Sequence, residues 1–162
     1  MYSIWVEPTA KDAKYLIQII RKLAKKYNSP TFNPHITVYS GVRNVSAAKS
    51  AVRNCADMKE FTVETMDLDF SDNLWKTVFI NVEKNQELKQ IHNTIKKGIP
   101  LNAKYEFNPH ISLIYKKLDD SQKQGIIDDL KIKSKLTFDK ITVVVSSKNV
   151  EKWEVIDRIV LK

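Results

Sequence analysis

The sequence predicts a single domain of mixed helices and strands that is divided into two similar lobes. Its 162 residues, of which 43% are hydrophobic, suit one ordinary domain that buries about 70% of the surface of the extended chain. The predicted elements run β-α-β-α-β-β-α-β-α-β-β, and no change in composition marks a linker. The segment Phe32–Thr37 recurs 75 residues later as Phe107–Ser112, with five identical positions and a hydroxyl kept at the sixth. Because such a repeat is rare by chance in a chain of this size, the two copies mark two related lobes.

The first half of the chain is predicted to hold three strands and two helices. Its first strand is rich in alternating aromatic and β-branched residues, which is typical of a half-buried strand. Thr9 is the predicted N-cap of the first helix, whose apolar residues recur at helical spacing opposite its lysines. The tripeptide Asn28-Ser29-Pro30 breaks this helix, and Ser46 is the predicted cap of the second helix. The predicted strands are Tyr2–Glu7, His35–Val42 and Phe61–Phe70, and the predicted helices are Lys11–Tyr27 and Ser46 to about Ala56.

The second half is predicted to add four strands and two helices. A turn around Ser71-Asp72-Asn73 separates its first strand from the strand before it. Gly98 is expected to end the next helix in a left-handed conformation, which costs glycine little. A loop that contains proline precedes the strand starting at His110. The predicted strands are Lys76–Val82, His110–Lys116, Leu136–Ser146 and Trp153–Val160, and the predicted helices are Gln86–Lys97 and Ser121–Leu130.

Charge and cysteine content narrow the possible functions only in part. The formal net charge is +8 and the isoelectric point is about 9.4, which attracts anions such as nucleotides or RNA, although a surface of solvated lysines explains it equally well. Cys55 is the only cysteine, so an internal disulfide is excluded and a reducing compartment fits. No stretch approaches the ~18 apolar residues of a membrane span, and the N-terminus lacks the pattern of a signal peptide. We therefore expect a soluble, cytoplasmic protein that does not associate with membranes.

The repeated motif places one imidazole and one hydroxyl on the same surface of each lobe. The proline before each histidine lacks an N–H and is best tolerated where a strand begins. Residues two apart on a strand point to the same face, so His35 lies beside Thr37 and His110 lies beside Ser112. If the two lobes face each other, two imidazoles and two hydroxyls converge.

Such a quartet suits in-line displacement at phosphorus. Imidazole titrates near neutrality, so one histidine can accept a proton from an attacking hydroxyl or water while the other donates a proton to the leaving oxygen. The hydroxyls of Thr37 and Ser112 can donate hydrogen bonds to the non-bridging phosphate oxygens. This scheme predicts His35 and His110 as catalytic residues and requires no metal.

Other candidate sites are weaker. His92 lies in a predicted helix without a comparable context and is expected on the surface or in the core. Cys55 is expected to be a small buried hydrophobic residue, because it falls on the apolar face of a predicted helix. The carboxylates of Asp67, Asp69 and Asp72 fit a solvated sheet edge better than an acid/base pair. A metal site is not favoured, because no His-x-x-x-His pair or cysteine cluster supplies further ligands.

The paired motifs resemble the signature of the two-histidine (2H) phosphoesterase superfamily, which is defined by two His-x-Ser/Thr tetrads. The resemblance looks closest to the cyclic phosphodiesterase branch of plants and yeast. It is carried by His35-Ile36-Thr37-Val38, by the run from His110 to Tyr115, and by the markers Tyr2-Ser3-Ile4-Trp5, Phe32-Asn33-Pro34-His35 and Trp153-Glu154-Val155.

This resemblance implies a bilobal α+β fold with pseudo-twofold symmetry. Two antiparallel sheets form a central groove, and helices cover the outside. His35 and His110 would be the acid/base pair, and Thr37 and Ser112 would hold the phosphate. The branch hydrolyses ribose cyclic phosphates with water as the nucleophile, and it uses no cofactor. Tyr115 matches a tyrosine that lines the pocket in this branch.

Three aromatic residues are expected near the groove. Regular alternation puts Tyr115 on the face opposite His110, so a bulge or a strand end must turn it inward. Trp75 precedes the strand that would cross the groove floor, and it is a candidate for stacking on a nucleobase as well as for simple packing. Tyr39 shares a face with His35 by alternation and is expected to rim the groove.

Three functions fit these residues. The first is a metal-independent phosphodiesterase that hydrolyses nucleoside 2′,3′-cyclic phosphates or ADP-ribose 1″,2″-cyclic phosphate. The second is a phosphodiesterase that cleaves 2′-5′ or 3′-5′ linkages in RNA or in oligonucleotide signals, which the net charge mildly favours. The third is a non-catalytic RNA-binding module, against which the two intact histidine motifs argue. The expected partner is a nucleotide cyclic phosphate or a short RNA, and no obligate protein partner is implied.

Overall fold

The computed structural model describes residues 1–100 and 104–162. Within these residues the chain forms seven strands, four α-helices and two short 3₁₀ helices. The strands are β1 (Tyr2–Pro8), β2 (Ile36–Val42), β3 (Phe61–Phe70), β4 (Val78–Val82), β5 (His110–Ile114), β6 (Lys135–Val145) and β7 (Glu154–Val160). The α-helices are α1 (Ala10–Tyr27), α2 (Val45–Arg53), α3 (Gln86–Gly98) and α4 (Asp120–Asp129), and the 3₁₀ helices are Leu74–Lys76 and Val150–Lys152. None of the described helices has both the length and the apolar character that crossing a membrane requires.

All strand pairs are antiparallel, and the strands form one connected sheet in the order β2-β1-β6-β3-β4-β5, with β7 pairing on β6. The long strand β3 links the two parts, because its first residues pair with β6 and its later residues pair with β4. The predicted α+β fold with antiparallel sheets is confirmed. The two antiparallel sheets that the resemblance implies are joined through β3 into one sheet, and this sheet is open.

The topology contains the same unit twice. The first unit is β1-α1-β2-α2-β3 and the second is β4-α3-β5-α4-β6. Each unit gives its third strand to the sheet of the other, since β6 pairs with β1 and β3 pairs with β4. As a result, β2 and β5 take corresponding places at the two ends of the strand order, and each carries one copy of the histidine motif.

Residues from both units bury their apolar side chains in one main cluster. The inward-facing residues of the strands pack against the apolar faces of the helices, as amphipathic patterning requires. Fully buried members include Ile4 of β1, Leu16 of α1, Ile95 of α3 and Leu113 of β5. This shared core holds β2 and β5 in a defined relation to each other.

The helix N-caps agree with the sequence in one place and differ in another. The Thr9 side chain accepts from the backbone N–H of Asp12, as predicted for the start of α1. The second helix is capped by Asn44, whose Oδ1 accepts from the N–H of Ala47 at 3.0 Å. The prediction of Ser46 as the cap is therefore wrong. Asparagine and serine are comparable N-cap residues, and the chain begins its helix at the earlier one.

Gly98 does not end α3 in a left-handed conformation. The helix runs through Gly98, and Gly41 is the only glycine of the described residues with a positive φ. A Cβ atom built on Gly98 would lie 2.9 Å from Cβ and 3.1 Å from Cα of Ala51 on α2. Gly98 is therefore required by the close approach of α3 to α2 and not by a helix cap.

Gly98→Ala is expected to destabilise the protein by about 1–3 kcal/mol, because the added methyl group forces α2 and α3 apart. Gly125→Ala is the matched control, since Gly125 also lies in a helix and a Cβ there meets no atom within 4 Å. The control should gain about 0.5–1 kcal/mol from the higher helix propensity of alanine. Urea denaturation of the three proteins measures both changes. Equal stability of the two variants would show that α2 and α3 do not pack as closely as described.

Candidate active site

The two copies of the histidine motif meet in one cleft of about 520 Å³. His35 and Thr37 reach it from the start of β2, and His110 and Ser112 reach it from β5. The two strands bring these side chains together because they occupy corresponding places in the two units of the fold. The other residues lining the cleft are Met1, Ser3, Trp5, Ser40, Asn73, Trp75, Lys76, Tyr105, Tyr115, Ser146, Ser147, Lys148 and Trp153.

The Asn-Pro-His sequence orients both imidazole rings in the same way. The Nδ1 atom of His35 lies 2.7 Å from the carbonyl oxygen of Asn33, and that of His110 lies 2.8 Å from the carbonyl oxygen of Asn108. A carbonyl oxygen can only accept, so Nδ1 carries the proton in each neutral ring. This tautomer leaves the Nε2 atom of both rings as the nitrogen that can exchange a proton with a ligand.

His35 is buried and favours its neutral form. Only 7% of the residue is exposed, and the ring stacks on Trp5 with the ring centres 3.6 Å apart. Burial, opposed by the hydrogen bond to Asn33 and reinforced by the nearby charge of His110, lowers the pKa of His35 to about 4. At neutral pH this ring can therefore accept a proton.

His110 is half-buried and more exposed than His35. Its ring meets the edge of Phe79, with the centres 5.5 Å apart. Burial lowers the pKa of His110, and the positive charge of Lys76 lowers it further, while the hydrogen bond to Asn108 opposes both. Because each protonated ring disfavours protonation of the other, the two histidines titrate as a coupled pair.

The two hydroxyl residues differ in their present hydrogen bonds. The Ser112 hydroxyl donates to the backbone carbonyl of Trp75 at 3.0 Å. It also interacts with Tyr115, where it partly offsets the rise in pKa that burial gives the tyrosine. Thr37 is half-buried in the cleft wall, and its own carbonyl accepts from the Tyr105 hydroxyl at 3.1 Å.

Tyr115 lies in the cleft even though simple alternation would place it on the opposite face. The pairing of β5 with β4 shifts by one residue between Ser112 and Ile114, and the strand ends at Ile114. This bulge and strand end together turn Tyr115 inward, as the sequence required. The ring is 7% exposed and meets the edges of Trp75 and Trp153 at 5.4 and 5.6 Å.

Tyr39 does not rim the cleft, and that expectation is wrong. The pairing of β2 with β1 shifts between Thr37 and Tyr39, so Val38 forms a bulge. The bulge sends Tyr39 into the core, where it is 3% exposed, and Ser40 lines the cleft in its place. Ser40 precedes Tyr115 by 75 residues, so the two bulges bring equivalent positions of the repeat into the same cleft.

All three tryptophans of the chain line the cleft. Trp75 lies in the 3₁₀ helix before β4, and Trp153 lies just before β7. The ring centre of Trp153 is 5.4 Å from that of Trp5 and 5.8 Å from that of Trp75. The Trp153 indole N–H donates to the carbonyl of Ser147 at 2.8 Å, which fixes its orientation. Together with Tyr115, the three tryptophans form an aromatic wall of the cleft beside the two histidines.

Tyr105 is one of the cleft residues that the sequence did not indicate. It lies in the segment between α3 and β5, outside the repeated hexapeptide. Burial raises the pKa of its hydroxyl to about 12, so it acts as a hydrogen-bond donor at neutral pH. Its position two residues before the second copy of the repeat was the only available signal.

The weaker candidates stay outside the cleft. His92 is buried in the core, and Cys55 is buried in the turn after α2, where burial raises the pKa of its thiol to about 11. Asp67 and Asp72 are exposed; Asp67 accepts from Asn81, and Asp72 pairs with Lys123. In residues 1–100 and 104–162, no three His, Cys, Asp or Glu side chains group so as to hold a metal ion.

The chain matches a known family over almost its whole length. The model of the family described as cyclic phosphodiesterase-like protein matches residues 1–161. No curated protein matches the chain significantly.

Several solved structures share the fold at low sequence identity. The apo form of LigT from E. coli is 16% identical with a TM-score of 0.65, over 99% of this chain and 96% of LigT. TT0787 of Thermus thermophilus is 13% identical with a TM-score of 0.65, over 99% and 97% of the two chains. Usb1 of Kluyveromyces marxianus is 12% identical with a TM-score of 0.55, over 99% and 97%. At these identities the likeness shows the fold.

Proposed function

The chain belongs to the cyclic phosphodiesterase-like family of 2H phosphoesterases and is a phosphodiesterase, and we propose that it hydrolyses cyclic phosphates on ribose. The proposed substrates are nucleoside 2′,3′-cyclic phosphates or ADP-ribose 1″,2″-cyclic phosphate. The observation that carries this proposal is the convergence of two imidazoles, each with Nε2 available, and two hydroxyls in one cleft.

The proposed mechanism uses one neutral and one protonated imidazole. Nε2 of the neutral ring accepts a proton from water as the water oxygen attacks phosphorus. Nε2–H of the protonated ring donates its proton to the ribose oxygen as the phosphorus–oxygen bond to that oxygen breaks. The phosphate ring opens to a monoester, and the pair still holds one proton, now on the other histidine. Proton exchange with solvent restores the starting state.

The hydroxyls would hold the phosphate during this step. Thr37 and Ser112 lie two residues after their histidines on the same strands. Each hydroxyl can therefore donate to a non-bridging phosphate oxygen while the imidazoles act on the attacking water oxygen and the leaving ribose oxygen. Negative charge on those oxygens is redistributed in the transition state, where preorganised donors are worth most. No metal is needed in this scheme.

The aromatic wall supports a nucleotide as the substrate. Trp75, Trp153 and Tyr115 offer flat apolar surface beside the histidines, and stacking on a base is worth about 1–3 kcal/mol. The cleft volume lies within the range of about 300–1,000 Å³ that is common for small-ligand sites. E. coli LigT has been crystallised with 3′-AMP, with ATP and with NADP⁺. A nucleotide therefore fits both this cleft and the ligands of a protein with the same fold.

A second candidate function is the cleavage of 2′-5′ or 3′-5′ linkages in short RNA or oligonucleotides. Lys76 and Lys148 line the cleft, and the net charge of +8 would favour a substrate with several phosphates. It would use the same histidines and hydroxyls. Asp67 and Asp69 are exposed on β3, the strand that pairs with β4. Their negative charges repel phosphates, which argues against a long nucleic-acid track across β3.

Hydrolysis of three substrates in the presence of EDTA tests the proposal. These are a nucleoside 2′,3′-cyclic monophosphate, ADP-ribose 1″,2″-cyclic phosphate and a 2′-5′ linked oligoadenylate. Turnover of either cyclic phosphate at a rate that EDTA does not change is the expected result. Cleavage of the oligoadenylate alone would favour the second function. Loss of activity in EDTA that returns with a divalent metal would overturn the metal-independent mechanism.

The value of kcat/KM is expected to fall as the pH rises above about 6.5. The pKa of His35 is held at about 4 and that of His110 below its ordinary value, so the free enzyme loses its catalytic proton before neutrality. Above the higher of the two pKa values, the fraction of enzyme with one protonated histidine decreases about tenfold per pH unit. A bound phosphate anion raises both pKa values, so the kcat profile should lie at higher pH than the kcat/KM profile. Steady-state kinetics across the pH range measures both profiles, and a kcat/KM that increases above pH ~7 would contradict this assignment.

We also propose that residues 1–162 act as one domain of two lobes and that the protein works in the cytoplasm. The core cluster contains residues from both units, which supports one cooperative domain. Cys55 is free and buried, which suits a reducing compartment.

A further inference from the structure

Two side chains from outside β2 hold its backbone carbonyls at the bulge. Nδ1 of His92, on α3, lies 2.8 Å from the carbonyl oxygen of Val38. The hydroxyl of Tyr105, between α3 and β5, lies 3.1 Å from the carbonyl oxygen of Thr37. Because a carbonyl oxygen can only accept, both side chains donate. Two consecutive carbonyls of β2 are thus bonded by side chains from elsewhere in the chain.

His92 is itself held firmly in place. It is 9% exposed, and its ring stacks on Phe107 with the ring centres 4.6 Å apart and the planes 11° apart. Lys84 in turn donates to the carbonyl of Phe107 at 2.7 Å and lies over the Phe107 ring. Burial and the charges of Lys96 and Lys84 lower the pKa of His92, so the ring is neutral and Nδ1 carries its proton. The donor to Val38 is therefore a fixed, buried group.

The bulge needs such donors because β2 lies at an end of the strand order and pairs only with β1 in the described part of the chain. A bulge leaves its extra residue without a ladder partner. Its carbonyls then require other donors, since an unpaired buried carbonyl is costly. Regular pairing of β2 with β1, without the bulge, would turn Tyr39 toward the cleft and Ser40 toward the core. The donors therefore favour the irregular strand that the cleft depends on.

We propose that His92 and Tyr105 are positioning residues that fix the β2 bulge and thereby place the Thr37 hydroxyl for the substrate phosphate. Neither residue needs to touch the reacting atoms for this role. The inference rests on the proposed function only in the part that concerns turnover, since the placement of Thr37 also affects binding of a phosphate ligand.

The test is a double-mutant cycle with Thr37→Val. His92→Phe keeps a ring that can stack on Phe107 and removes the donor, and Tyr105→Phe removes only the hydroxyl. Each is expected to lower kcat about tenfold with a smaller change in KM, because a donor to a buried carbonyl is lost. In the Thr37→Val background, each should lower kcat less than twofold, since no hydroxyl remains to be placed. His92→Asn, which can donate from a similar position, should recover most of the activity.

Tyr15→Phe is the matched control, because the Tyr15 hydroxyl also donates to a backbone carbonyl, that of Lys131, but lies away from the cleft. It should leave kcat unchanged. Full, multiplicative losses from His92→Phe and Tyr105→Phe in the Thr37→Val background would overturn the proposal, as would no loss in the native background. If His92→Phe does not fold, the cycle with Tyr105→Phe decides alone.

Binding of 3′-AMP, followed by the fluorescence of the three cleft tryptophans, separates this inference from the proposed function. If no cyclic phosphate is turned over but the variants weaken 3′-AMP binding only when Thr37 is present, the proposed substrate is wrong and the positioning role stands. If cyclic phosphates are turned over and the cycle is additive in both kcat and binding, the positioning role is wrong and the proposed function stands.

Discussion

Replacing His35 or His110 with asparagine is expected to lower kcat about 10²- to 10⁴-fold, the usual contribution of a general acid or base. Asparagine has an amide N–H close to the position of Nδ1, so it can keep the hydrogen bond to the carbonyl of Asn33 or Asn108. It has no atom at the position of Nε2. The substitution therefore removes the proton-transferring nitrogen and preserves the local backbone contact.

Binding and chemistry can be measured separately for these variants. The dissociation constant for 3′-AMP, read from tryptophan fluorescence, should change far less than kcat, because the aromatic wall and both hydroxyls remain. A diester with a p-nitrophenolate leaving group needs no protonation as it departs. Only one of the two variants should recover activity on it, and that variant identifies the histidine that acts as the acid. Near-native kcat in either variant, or equal recovery of both, would refute the division of labour between the rings.

The central part of the site could be predicted because its signal is local and repeated. The Asn-Pro-His segment determines where a strand begins, how the ring is oriented and which face the next hydroxyl shares. His35 and Thr37 therefore needed only a second copy, His110 and Ser112, for the pair of lobes to be inferred. The structure brings all four residues into one cleft because the two units of the fold are related by the same exchange of strands.

The rest of the cleft depends on irregular pairing and on distant segments, which alternation along one strand does not contain. Ser40 and Tyr115 enter it because both motif-bearing strands carry a bulge after the hydroxyl residue. The same bulge sends Tyr39 into the core, against the regular period of two. Trp153 and Tyr105 come from segments that make tertiary contacts with Trp5 and Thr37. None of these contacts is visible in the local sequence.

The ends of helices show a similar limit. Ser46 and Asn44 are both suitable N-caps, so the sequence alone does not choose between them. Gly98 has the residue type of a helix end, but its role is decided by Ala51 on another helix. Local propensity offers several acceptable solutions, and packing selects one.

Removing the hydroxyls of Thr37 and Ser112 is expected to have the next largest effect. Thr37→Val keeps the shape of the side chain, and Ser112→Ala removes a single buried oxygen atom. Each should lower kcat about 10²- to 10³-fold, as the loss of one preorganised donor to a transition-state oxygen does. Thr37→Ser should retain most of the activity. Thr62→Val is the control, because the Thr62 hydroxyl bonds that of Thr137, away from the cleft.

The double variant tests whether the two hydroxyls hold different phosphate oxygens. Thr37 and Ser112 belong to different units of the fold, and Ser112 must release the carbonyl of Trp75 before it can donate to a ligand. If each binds its own oxygen, their losses in kcat should multiply, because independent interactions contribute additively to the free energy of the transition state. A double variant no slower than the slower single variant would mean that only one hydroxyl reaches the phosphate. In that case the pseudo-symmetry of the fold would not extend to its chemistry, and Ser112 would serve instead to hold Trp75 and Tyr115 beside the base.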